Sequence, residues 1–128
     1  MKKVTWIVIV LVGCVIGLLS FCAYIENPRS YFATYNDAKA AGMMDAGWIP
    51  TFIPYSSSEI RETHDIDTNT VKMTFKYSLN DTAEIEKNCT QKMTSPANTK
   101  QYICTYYGNE VIIELRSDGS GRLESYRR

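Results

Sequence analysis

The sequence predicts an α+β domain, with a mainly antiparallel sheet of about five strands and two short helices, behind an N-terminal membrane helix. Three observations predict it. Residues 4 to 25, "VTWIVIVLVGCVIGLLSFCAYI", carry no charge. Residues 70 to 77 alternate, with Val71, Met73, Phe75 and Tyr77 on one side and Lys72, Thr74 and Lys76 on the other, the period of a half-buried strand. Three further strand-like runs, "QYICTYY", "EVIIELR" and "RLESYR", are separated by "GN" and "SDGSG", turn sequences of the hairpin kind. The chain therefore divides into an anchor or signal segment over residues 1–25 and an exported domain over residues 26–128.

The apolar run comes first. As a helix at about 1.5 Å per residue it spans about 33 Å, enough for a bilayer core. Lys2 and Lys3 precede it and no basic residue follows immediately, so the positive-inside rule keeps the N-terminus in the cytoplasm and sends the domain out. "LVGC" also matches a bacterial lipobox, with Cys14 as the acylated residue, and a signal-peptidase site near Ala23 is a third outcome. An uncleaved transmembrane anchor is the expectation, because the run continues apolar well past Cys14. All three outcomes deliver the domain to the same side of the membrane of a bacterial cell envelope. Gly13 and Gly17 form a GxxxG spacing that permits two such helices to pack as a homodimer, although glycine is also an ordinary membrane-helix residue.

The exported part is compositionally globular, within a chain that is 45% hydrophobic and 22% charged over 128 residues. Net charge is zero overall; with Lys2 and Lys3 assigned to the anchor, the remainder is acidic by two. That balance argues against a nucleic-acid partner, which needs a basic surface.

Thr34, with Asp37 three residues on, starts the first short helix through residues 38–44, and Gly47 stops it. Trp48-Ile49-Pro50 and Phe52-Ile53-Pro54 read as extended segments lying on a core, since each proline ends helix and central-strand pairing. Residues 59–64 and 70–77 pair as a hairpin. Asn80 and Asp81 are candidate caps for a second helix through "DTAEIEKNC", whose first turns carry acidic residues. "QKMTSPANTK" is polar and aperiodic, a surface loop.

Cys89 and Cys104 are expected to form a disulfide in the oxidising compartment, closing a loop worth about 3 kcal/mol. A redox or metal role is disfavoured by the lack of C-x-x-C spacing.

The densest group of candidate functional residues is "HDIDTN", with His64, Asp65, Asp67 and Asn69. Its calcium-loop likeness fails at Thr70, where glycine is required, and at Lys76, where a bidentate glutamate is required. His64 is the single histidine, so no histidine-based zinc set is available. An acid/base pair of His64 with Asp67 is the catalytic alternative, an envelope hydrolase, but no nucleophile motif accompanies it. The stretch is therefore expected to be a turn in which Asx side chains satisfy backbone donors; no catalytic residue, metal or cofactor is expected.

From "SYFATYNDAKAAGMMDAG" through "WIPTFIPYSSSEIRETHDIDTN" the chain resembles a group of small bacterial envelope proteins, many of them lipoproteins, related to the head domain of YbbD-type proteins. The likeness rests on Asp37 and Ala38, on Trp48 and Pro50, on Ser56, Ser57 and Ser58, and on His64, Asp65, Asp67, Thr68 and Asn69, and it fades after Tyr77. It implies an envelope location and carries no activity across.

Nine tyrosines are many for this length, and Tyr102, Tyr106, Tyr107 and Tyr126 all fall on the C-terminal strands. They are either core residues with hydroxyls at its margin or an interaction face. Together these features predict a non-catalytic, membrane-tethered protein that binds a protein or cell-wall partner, with a periplasmic inhibitor or immunity protein as a specialised alternative.

Overall fold

The computed structural model describes residues 1–26, 28–93 and 96–127. Thr94 and Ser95 of the expected surface loop, and the side chain of Ala23 at the alternative cleavage point, lie outside the described residues.

Helix α1 runs over Lys2–Glu26, and none of its apolar stretch Lys3–Cys22 is buried in the protein. It is long and apolar enough to cross a membrane. The free thiols of Cys14 and Cys22 are exposed on it.

Seven strands follow, all antiparallel: β1 (Arg29–Thr34), β2 (Ser58–Asp65), β3 (Thr70–Lys76), β4 (Thr90–Gln91), β5 (Thr99–Tyr106), β6 (Asn109–Arg116) and β7 (Ser120–Tyr126). Their order in the single sheet is β1-β2-β3-β7-β6-β5-β4. Two short helices, α2 (Tyr35–Ala40) and α3 (Ala83–Asn88), complete the domain. The expected α+β architecture with two short helices is present, but the sheet has seven strands rather than about five. Both additions are edge strands with one partner each, where sequence signals are weakest. Strand β1 hides in the run-in to α2. Strand β4 is two residues long, and its register, Thr90 opposite Ile103, follows directly from the neighbouring Cys89–Cys104 disulfide.

Alternation decides which face is buried. Ile60 on β2, Val71, Met73 and Phe75 on β3, Val111, Ile113 and Leu115 on β6, and Leu123 on β7 all point one way. Tyr35 and Ala38 of α2, Met44, Ile49 and Ile53 of the following segment, and Ile85 of α3 cover them. The other face is open to solvent. Phe75 lies directly opposite Gly121, and a Cβ there would come within 2.3 Å of the Phe75 ring. The glycine thus makes room for an aromatic side chain folded across the neighbouring strand.

Local chemistry sets the boundaries. Thr34 and Asp37 form the expected capping box, the Thr34 hydroxyl accepting from the Asp37 N–H and the Asp37 carboxylate from the Thr34 N–H. The helix ends at Ala40, earlier than its run of helix formers predicts, because the chain turns through Gly42 at φ 76°. Thr82 occupies the N-cap position of α3 in place of Asn80 or Asp81; Asp81 instead accepts a 2.7 Å hydrogen bond from the Ser56 N–H. Tyr107 and Gly108, both at positive φ, make the tight β5–β6 turn one residue earlier than "GN" implies.

Candidate functional site

The β2–β3 hairpin sends its titratable residues to opposite faces. On a strand, side chains two apart share a face, so Glu62 and His64 both point toward the core with Ile60. His64 Nδ1 and Glu62 Oε1 lie 2.7 Å apart, and both side chains are buried. The imidazole stacks on the indole of Trp48, with ring centroids 3.9 Å apart and planes 17° from parallel. Trp48 reaches it because Gly47, at φ 81°, turns the chain back under the sheet against Tyr107. The backbone N–H of His64 donates to the Pro28 carbonyl, so this cluster sits where the chain enters the domain from α1.

Burial pushes the Glu62 carboxyl above the ordinary glutamate range; the contact with His64 and the nearby Ser30 hydroxyl oppose this only in part. Ser30 faces Glu62 across the β1–β2 pair, while Glu62 Oε2 has no hydrogen-bond partner among the described residues. A buried carboxyl with one satisfied oxygen favours its protonated form. Chemically, the pair can hold a proton and fix the imidazole's orientation.

Asp65, Asp67 and Asn69 take no part in this cluster. Asp65 accepts from the backbone N–H groups of Asp67 and Thr68 at 2.9 and 3.1 Å, and these bonds hold its carboxyl below the usual range. Asn69 turns the chain with φ 54°, and its carbonyl accepts from the Asn109 side chain. Asp67 is exposed in the turn. The His64–Asp67 pairing of the hydrolase alternative is thus not assembled: His64 is held by Glu62. The signal for this pair lies in "ETH", since i and i+2 on a strand share a face, one step before the denser "HDIDTN".

The tyrosines do not form one surface either. Tyr102 is buried, with its hydroxyl donating to Glu86, and Tyr106 packs edge-on against Phe52 and donates to the Met44 and Ile49 carbonyls. Tyr107 projects from the β5–β6 turn, and Tyr126 lies on the open face with its hydroxyl donating to Glu124. Tyr106 and Tyr107 meet edge to face, ring centroids 4.7 Å apart, whereas Tyr102 is buried in the core and Tyr126 lies on the opposite face of the sheet. The disulfide joins Cys89, at the C-terminal end of α3, to Cys104 on β5, with Cα atoms 4.4 Å apart.

Several residues of the sequence resemblance have defined places in the fold. Asp37 closes the capping box, Trp48 stacks on His64, the Ser56 hydroxyl accepts from the Ser78 N–H, Ser57 is buried, and Asp65 organises the turn.

Residues 26–76 match the YbbD head domain. No curated protein and no solved structure gives a significant match. The head-domain match encloses β1, α2 and the β2–β3 hairpin, including Glu62, His64 and Trp48, and ends at the last residue of β3. It leaves out α3, the disulfide and β4 to β7. The sheet nevertheless continues without a break, since β3 pairs with β7 from Lys72 through Lys76. The head-domain segment and the remainder therefore share one hydrophobic core.

Proposed function

We propose that the protein is a membrane-tethered binding domain of the bacterial cell envelope that engages a protein or cell-wall partner outside the cytoplasm and performs no chemistry. The observation that carries this reading is the succession of a bare apolar helix, a two-residue connection and a domain closed by the Cys89–Cys104 disulfide. Structural disulfides belong to oxidising compartments, and the helix supplies the means of staying at their boundary. The head-domain match supports an envelope association. The Glu62–His64–Trp48 cluster serves as architecture in this reading: it locks the hairpin to the segment beneath it.

Substituting His64 with alanine separates this from a catalytic role. The reading expects a lower melting temperature, with any loss of cellular phenotype tracking the loss of fold. A phenotype lost at unchanged melting temperature assigns His64 to a site.

A further inference from the structure

We propose that the open face of β1, β2 and β3 docks on the anionic phospholipid surface of the membrane that α1 spans. The inference rests on the tethered reading above and adds an orientation to it. Register places the relevant side chains in rows across the strands. Arg29, Thr63 and Lys72 form one row, and Tyr31, Arg61 and Thr74 the next. Arg29, Arg61 and Lys72 are exposed, as is Tyr31, whose ring lies 5.3 Å from the Arg61 guanidinium carbon. Among the described residues, Glu59, Asp65 and Glu124 on this face are already engaged. Glu59 bridges Lys76 at 2.8 Å, Asp65 is consumed by the hairpin turn, and Glu124 on β7 receives Arg122 and Tyr126 while also facing Lys72. What remains is a compact cationic patch with an amphipathic aromatic in a domain that is otherwise acidic.

The tether places that patch. Only residues 27 and 28 separate α1 from Arg29, so the Arg29 Cα lies within about 10 Å of the helix end. Adjacent strands are about 4.8 Å apart, which puts Lys72, two strands away, within about 10 Å laterally of Arg29. A helix that spans the bilayer ends in the headgroup layer, and cations held there meet lipid phosphates. Tyrosine is favoured at the same depth. Docking by this face turns the helix-covered face of the sheet away from the bilayer, toward the partner.

The test uses the full chain in lipid nanodiscs of phosphatidylcholine alone or of phosphatidylcholine with phosphatidylglycerol. Amine-reactive labelling of each lysine is read by mass spectrometry, and an intact-mass spectrum of the same sample reports whether the anchor is uncleaved. With an uncleaved anchor, labelling of Lys72 relative to Lys39 and Lys100 falls about fivefold in the anionic discs, the factor one cation gains at an anionic surface, and recovers in high salt. Combined Arg29→Glu and Arg61→Glu substitution removes the protection while the disulfide and circular dichroism stay unchanged. Equal labelling of Lys72 in both lipids overturns docking, as does equal protection by soluble polyglutamate in the neutral discs, which assigns the patch to an acidic protein. A cleaved N-terminus overturns the tethered reading instead.

Discussion

Glu62 and His64 form a buried pair on the core face of β2, and each makes a measurable contribution to stability. A carboxyl whose pKa is higher in the folded than in the unfolded chain contributes stability that is complete below the unfolded value and is lost as pH rises through the folded one. Glu62 is such a group, raised chiefly by burial. Glu62→Gln should therefore gain on the wild type progressively as thermal melts move from acid toward neutral pH; a constant difference at every pH contradicts the assignment. His64→Ala removes the 2.7 Å partner of Glu62 Oε1 and the stacking surface of Trp48. Its cost at neutral pH is about 3 kcal/mol in denaturant unfolding, smaller in acid where the orphaned carboxyl is neutral. Gly121→Ala drives a methyl into the Phe75 ring and should cost about 2 kcal/mol, recovered in part by combining it with Phe75→Leu.

At the scale of elements, legibility followed the length and periodicity of each signal. Residues 70–77 were readable because Val71, Met73 and Phe75 are buried and Lys72, Thr74 and Lys76 exposed, so that the pattern states the geometry outright. The capping box at Thr34 and Asp37 and the two C-terminal hairpins were readable for the same reason, a local rule with a local cause. Strand β1 was not, because "RSYFAT" becomes a strand through β2, whose partners lie about thirty residues further along the chain. Strand β4 depends on the disulfide beside it. Replacing Cys89 and Cys104 together by serine should cost about 3 kcal/mol and lower the denaturation midpoint, with no loss if the loop were already ordered in the unfolded chain. Of the candidate site, the turn role of Asp65 was legible from Asx chemistry, whereas the Glu62 contact required knowing which strand face was buried.

The whole molecule combines an apolar helix and a sheet domain, each specified by different physics. The helix is specified by composition alone, a long uncharged run preceded by lysines. The domain is specified by one sheet with a covered and an open face, the first carrying the core and the second the charge pattern. The head-domain match falls on the part of the sheet that follows the apolar helix in the chain, from Glu26 to the end of β3. That part also holds the hydrogen bond from His64 to Pro28, so the entry point of the chain is part of the packed structure. We propose that this domain is held outside the cytoplasm by an uncleaved helix. The most direct measurement is non-reducing intact-mass analysis of the protein extracted from membranes after protease treatment of spheroplasts, with untreated cells as reference. The account predicts that the untreated protein retains residues 1–25, carries the Cys89–Cys104 disulfide and no lipid on Cys14, and that external protease removes the domain while sparing the helix. A diacylglyceryl mass on Cys14, a terminus near Ala23, reduced Cys89 and Cys104, or a domain protected from external protease contradicts it.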